Sequence, residues 1–181
     1  KGEGDQAPTE VKIELPVDAH LPHEYVPGER LRLEAYKKLA AVTDEAALAE
    51  VLVELQDRYG DPPQPVLNLV EVARLRILLR TAGLTEVAAQ GSSIRFGPVD
   101  LKDSQRLRLQ RMYPRATVKE ATRTITVPRP TTARVGGRPL RDLEVLSWAS
   151  DLVRSVLLDD IAAGQQTGTD ATASRDSSRM R

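Results

Sequence analysis

Cysteine is absent from the 181-residue sequence. The chain therefore has no disulfide framework, no thiolate zinc site and no cysteine nucleophile. Aromatic residues are scarce at 3%, whereas hydrophobic residues as a whole make up 40%. A core can form, but it must be built mainly from leucine, valine, isoleucine and alanine. The length suits one medium-sized domain with flexible ends.

Net charge is also lacking, because 26 basic residues balance 26 acidic ones. The chain as a whole thus carries no electrostatic signature of a nucleic-acid or membrane partner. No apolar run reaches the roughly 18 residues that a membrane span needs, and the first four residues lack the apolar core of a signal peptide. We expect a cytoplasmic location. The missing initial methionine predicts a piece of a longer chain.

Catalytic and cofactor motifs are missing as well. The two histidines, His20 and His23, lie in a proline-bounded stretch without an evident third metal ligand, so we expect solvated loop side chains and no metal. Gly136-Gly137 lacks the lysine and hydroxyl residue of a phosphate-binding loop, which favours a turn. We predict that the chain is not an enzyme and binds no cofactor.

The periodicity of apolar residues predicts helices over 29–41, from Thr43 as N-cap to Tyr59, over 65–82, over 103–112 and over 139–158. Between them, strands are predicted at 86–89, 93–96, 117–119 and 123–127, the first two joined as a short hairpin at Gln90-Gly91. Gly60 and the prolines after it are predicted to end the second helix. The third helix is apolar on most sides, which predicts the central helix of the core. Helices, then small antiparallel strands, then a C-terminal helix make an α+β fold. We divide the chain into an extended or flexible arm (1–20), a single α+β domain (21–160) and a disordered tail (161–181).

The second predicted helix carries acids on one face. Glu54 and Asp57 are three residues apart and Glu50 lies one turn back, so all three project from the same side. Neighbouring carboxylates can receive an arginine guanidinium in a bidentate fork. The alternative is a local pair, since Arg58 follows Glu54 by four residues. Spacing alone favours the local pair.

Four sequence motifs occur in order along the first half of the chain. They are Leu21-Pro22-His23-Glu24-Tyr25-Val26-Pro27, a helix with Arg30-Leu31 and Tyr36, Glu54-Leu55-Gln56-Asp57-Arg58-Tyr59-Gly60 with Pro63, and Leu69 followed by Ala73-Arg74-Leu75. In order and spacing they resemble the C-terminal domain of bacterial transcription-repair coupling factors. The resemblance covers about residues 11–97. An alanine- and arginine-rich composition indicates a high-GC bacterium.

This resemblance implies a regulatory role. The parent proteins of that family are ATP-driven DNA translocases that displace stalled RNA polymerase and recruit excision repair, and their motor is not in this chain. The C-terminal domain folds against a UvrB-like N-terminal module of the same protein. That contact masks the surface recognised by UvrA and restrains the motor. By correspondence with the family motif, Glu54 and Asp57 face arginines of the module, which favours the intermolecular interpretation of the acidic face.

A basic stretch offers the main alternative, a nucleic-acid-binding module. Residues 102–141 hold eleven bases and two acids, whereas residues 1–63 hold fourteen acids and seven bases. Basic patches bind phosphates through counterion release. Stacking aromatics are scarce there, since Tyr113 stands alone. For Trp148, on the last predicted helix, we expect a place in the core.

Overall fold

A computed structural model describes residues 10–158, so the predicted tail (161–181) and the first nine residues of the predicted arm lie outside the described residues. Five α-helices lie in this part of the chain: α1 (Glu29–Ala41), α2 (Glu45–Tyr59), α3 (Gln64–Thr81), α4 (Asp103–Met112) and α5 (Leu143–Leu152). The five strands are β1 (Lys12–Glu14), β2 (Glu86–Gln90), β3 (Ser93–Gly97), β4 (Thr117–Lys119) and β5 (Thr124–Pro128). The predicted α+β class and its order of elements are confirmed. No helix in the described range is long and apolar enough to cross a membrane.

The first three helices form a helical unit. Val66 of α3 packs with residues of α1, α2 and the extended segment before α1. Val70 and Ala73 of the same helix pack with Leu39 and Leu48 from α1 and α2. Burial of such aliphatic side chains contributes about 1.5–3 kcal/mol each. The helical unit is thereby held together mainly through α3.

The strands form one mixed sheet in the order β1-β2-β3-β5-β4. The neighbouring pairs β2–β3, β3–β5 and β4–β5 are antiparallel. Short connections join β2 to β3 and β4 to β5, whereas α4 and β4 lie between β3 and β5 in the chain. β1 instead pairs in parallel with β2, and Ile13 lies opposite Val87. Part of the predicted N-terminal arm therefore contributes an edge strand to the sheet.

α3 also covers the sheet. Its Leu75 and Leu79 are buried with Phe96 of β3, Ile125 of β5 and Ala149 of α5 in the largest apolar cluster. The prediction that α3 is the central core helix is confirmed, because it contributes to the sheet-side cluster and to both clusters of the helical unit. α3 thus connects the helical unit to the sheet.

The last helix differs from its prediction over 139–158. Residues up to Asp142 remain in a loop, since the Leu140 amide donates to the Pro130 carbonyl (2.9 Å) and Asp142 has a φ of 51°. From Val153 to Leu158 the helix widens into a π-helical segment. There the Ser155 hydroxyl donates to the Asp151 carbonyl (2.6 Å), a side-chain bond of the kind that bends helices.

Candidate protein-binding face on the second helix

α2 is capped at both ends by local sequence. The Asp44 carboxylate accepts from the Ala47 amide (2.8 Å), so the N-cap is Asp44 and not the predicted Thr43. The carboxylate is the stronger acceptor and also suits the positive end of the helix. At the other end, the Gly60 amide donates to the Gln56 carbonyl (2.9 Å) with a φ of 82°. α2 is thus a well-defined rod of four turns.

The extended segment before α1 fixes the C-terminal end of α2. The Tyr25 hydroxyl lies 2.9 Å from the Gly60 carbonyl and 3.2 Å from the Leu55 carbonyl, both of which accept from it. Gly60 lies just past the last residue of α2, where carbonyls have no intrahelical donor. The Tyr25 ring also meets the Tyr59 ring edge-on at 5.8 Å between centroids. Burial raises the pKa of Tyr25 above its ordinary value, which keeps the hydroxyl a donor.

α3 fixes the N-terminal end of α2. The Arg74 guanidinium donates from Nε to both carboxylate oxygens of Glu45, at 2.9 and 3.1 Å. It also pairs with Glu71 of its own helix, and this hydrogen bond is the main cause of its raised pKa. Arg80 donates to the Val42 carbonyl (3.1 Å) just before α2 begins. The helix is therefore anchored to neighbouring elements at both ends.

Two of the three predicted acids are exposed without internal partners. Glu50 and Asp57 form no hydrogen bond or ion pair within residues 10–158. Val53 lies between them on the same helix face, and 54% of its surface is exposed. Glu50, Val53, Glu54 and Asp57 together are called the acidic face below.

Glu54, the third acid, is held inside the domain. Its Oε1 accepts from Lys38 Nζ of α1 at 2.6 Å and from Arg58 Nη1 at 3.4 Å. The hydrogen bond from Lys38 is the main cause that holds the pKa of Glu54 below its usual range. The local pair with Arg58 does form, but it is the longer of the two contacts. Glu54 therefore contributes a fixed and partly neutralised charge to the acidic face.

Sequence reasoning missed Lys38 and Val53. Lys38 comes from another helix, sixteen residues away, and no spacing rule links it to Glu54. The exposure of Val53 could have been predicted from the sequence. It is flanked by acids at helical spacing and falls outside the buried stripe of Leu48 and Leu55. The acidic face thus has an apolar centre that its charges alone did not reveal.

The other sequence candidates are placed elsewhere. His20 Nδ1 lies 2.7 Å from an Asp18 oxygen in an exposed loop, and His23 Nε2 lies 3.2 Å from Glu24 Oε1. Within residues 10–158 no three potential ligands cluster for a metal. Trp148 packs against Phe96 at 5.8 Å between ring centroids, so it is a partly buried member of the core.

The basic stretch is partly neutralised by the domain itself. Arg106 pairs with Glu120 (2.9 Å), Arg123 pairs with Asp100 through Nε and Nη2, and Arg138 pairs with Glu144 (2.8 Å). The pKa of Asp100 is lowered chiefly by its hydrogen bond from Arg123. The stretch is therefore not one continuous track of free cations.

Comparison with known proteins gives consistent matches. The chain is 44% identical over 152 residues to transcription-repair-coupling factors of Mycobacterium bovis and Mycobacterium tuberculosis, which covers 83% of this chain. It is 40% identical over 94 residues to the corresponding factor of Staphylococcus haemolyticus. The chain spans only 12% of the length of the mycobacterial relatives and 8% of the staphylococcal one.

A solved structure, described as the C-terminal domain of transcription-repair coupling factor, shares the fold with a TM-score of 0.61 at 22% identity. That match covers 90% of this chain and 99% of the other. A family model described as the TRCF domain matches residues 15–109, more than half of the chain. By this match and its relatives, the chain belongs to the TRCF domain family of transcription-repair-coupling factors.

Proposed function

We propose that this domain is an autoinhibitory clamp of a transcription-repair-coupling factor. Its acidic face on α2 binds arginines of the UvrB-like N-terminal module of the same protein. The contact masks the surface that UvrA recognises and restrains the ATP-driven motor. Engagement with RNA polymerase and DNA then releases the clamp, so that repair proteins are recruited only at a stalled polymerase.

The observation that carries this proposal is the pair of partnerless acids on an anchored helix. Glu50 and Asp57 are exposed and lie about two helical turns apart on the same side of α2. α2 is fixed by Tyr25 at one end and by Arg74 at the other. A partner can therefore be met without reordering the backbone, which reduces the entropic cost of binding.

The energetics suit a contact that must open. An exposed ion pair contributes only about 0–1 kcal/mol, and Val53 adds a small apolar contact at the centre of the acidic face. A few such contacts give a coupling of about 1–3 kcal/mol, the scale of allosteric control. A ligand that binds the open state better can shift such an equilibrium. Polymerase engagement supplies that differential binding in this proposal.

Reversal of the two partnerless acids in the full-length protein tests the proposal. Glu50→Lys combined with Asp57→Lys should raise both the basal ATPase rate and the binding of UvrA. The matched control is Asp151→Lys, which reverses an exposed acid on α5. Basal ATPase and UvrA binding that match the wild type in the double variant would contradict the clamp.

Glu54 is a poorer test position than Glu50 or Asp57. An arginine or lysine at position 54 would remove the bond to Lys38 and place a third cation beside Lys38 and Arg58. Loss of α1–α2 packing would then accompany any loss of partner binding. Glu54→Gln keeps the shape of the side chain and its acceptor oxygen, and it is the appropriate substitution here.

A further inference from the structure

A concave surface elsewhere on the domain shares no residue with the acidic face. This open cleft, of about 380 Å³, is bounded by the end of α4, the segment after β5 and α5. Its apolar lining includes Tyr113, Val127 and Trp148. Three arginines from separate segments also line it: Arg115, Arg129 and Arg134.

The three arginines have no acceptor within the described part of the chain. Arg129 Nε is buried and forms no hydrogen bond. Arg115 and Arg134 are exposed, and neither has a hydrogen bond or ion pair among residues 10–158. No aspartate or glutamate lines the cleft. Because a buried donor without a partner destabilises the fold, the arrangement favours an acceptor that comes from outside.

We propose that this cleft binds an acidic peptide segment of a partner protein. Carboxylates of the segment pair with Arg129 and Arg134, since guanidinium groups bind carboxylates in a bidentate fork. An apolar side chain next to those carboxylates packs on the lining formed by Tyr113, Val127 and Trp148. The cleft thus recognises a peptide in which an apolar side chain lies next to carboxylates.

The surroundings favour a peptide over a nucleic acid. Arg106, Arg123 and Arg138 of the basic stretch are paired with carboxylates of the domain, and these pairs interrupt the positive track that a phosphate backbone would follow. The aromatic rings are also engaged. The Tyr113 ring meets the Trp148 ring edge-on, with 6.3 Å between centroids, and the Trp148 ring packs at a tilt against Phe96. These contacts limit the ring surface on which a base could stack.

Trp148 provides the readout, because it is the single tryptophan of the chain and lines the cleft. The probe is a synthetic peptide of about twelve residues with glutamates and aspartates flanking a leucine and a phenylalanine, a length that spans a standard groove. The comparison probes are the same peptide with glutamine and asparagine in place of the acids, and a single-stranded oligonucleotide of equal charge. Each is titrated into the full 181-residue chain while Trp148 fluorescence is followed.

The expected result is saturable binding of the acidic peptide and at least a ten-fold weaker response to the amide peptide and the oligonucleotide. Arg134→Glu, at an exposed position, should weaken peptide binding about ten-fold or more, and Arg129→Gln should do the same. The matched control Arg111→Glu, outside the cleft, should change affinity less than about two-fold. Equal binding by Arg134→Glu and wild type, equal binding of the amide peptide, or tighter binding of the oligonucleotide would overturn the proposal.

Discussion

Lys38 of α1 donates to Glu54 of α2 across 2.6 Å, and this bond joins the two helices beside the acidic face. It lowers the pKa of Glu54 and competes with any external cation for the same carboxylate. The three acids of α2 therefore differ in their contacts. Glu54 joins α2 to α1 through Lys38, while Glu50 and Asp57 have no ion pair within residues 10–158.

Replacement of Lys38 by methionine should raise the pKa of Glu54 toward its ordinary value. The hydrogen bond and the nearby positive charge are lost together, and both favour the ionised carboxylate. The measurement is an NMR titration of the Glu54 side-chain carboxyl. Arg30→Met, which breaks the exposed Arg30–Glu34 pair of α1 (3.2 Å), is the matched control and should leave Glu54 unchanged. An identical Glu54 titration in the Lys38→Met variant would rule out this bond.

The same shift predicts a pH dependence of stability. Because the folded pKa of Glu54 lies below its unfolded value, the Lys38 bond stabilises the fold above the unfolded pKa. This stabilisation is lost as the pH falls through the folded pKa. The difference in urea midpoint between wild type and Lys38→Met should therefore be present near neutral pH and vanish in acid. A difference that grows on acidification would contradict the assignment.

Removal of the Tyr25 hydroxyl should destabilise the domain by about 1–2 kcal/mol, since the Leu55 and Gly60 carbonyls lose a shared donor in a buried place. Urea denaturation of Tyr25→Phe measures this effect. Tyr59→Phe is the control, because the Tyr59 hydroxyl has no hydrogen bond within the described residues, and it should cost less than about 0.5 kcal/mol. Equal costs for the two variants would show that the hydroxyl of Tyr25 does not anchor α2.

Gly60→Ala should cost about 1–3 kcal/mol for a purely torsional reason. Gly60 has φ 82° and ψ −164°, which L-residues avoid, while nothing lies within 4 Å of the place that a Cβ methyl would occupy. D-alanine, introduced at position 60 by semisynthesis, adopts the mirror-image torsions and should restore the wild-type unfolding free energy. If both alanines destabilise equally, steric crowding and not torsion sets the cost.

The internal pairing of the basic stretch predicts weak binding to duplex DNA. Three of the eleven bases, Arg106, Arg123 and Arg138, each have a carboxylate partner, which reduces the number of cations that can release counterions. In about 0.15 M salt, the 181-residue chain should bind a duplex with a Kd weaker than about 100 µM. Fluorescence anisotropy over a salt series measures it. Micromolar binding with a steep salt slope would favour the nucleic-acid-binding alternative.

Local rules predicted most of the helical framework. The apolar residues of α3 recur on several sides, which correctly indicated a helix buried between other elements. Gly60 and the prolines after it correctly ended α2. The hairpin around Gln90 and Gly91 also forms as predicted, with Ala89 opposite Ile94. These features depend on residues that are close in sequence.

Features set by distant contacts were not predictable in this way. The parallel pairing of Ile13 with Val87 joins segments more than seventy residues apart. Lys38 reaches Glu54 only because α1 and α2 pack side by side. Helical spacing predicted that Glu50, Glu54 and Asp57 lie on one side of α2. Only the packing of α1 against α2 shows that Glu54 is paired with Lys38, whereas Glu50 and Asp57 have no partner among the described residues.

The most direct test of the clamp is a calorimetric titration of the UvrB-like N-terminal module with this domain. The wild-type domain should bind, and Asp57→Lys and Glu50→Lys should each weaken the affinity about ten-fold, because each reversal replaces an attraction with a repulsion. Asp151→Lys, on α5, should bind like the wild type. Absence of wild-type binding, or equal affinity of the wild type and Asp57→Lys, would contradict the role of the acidic face.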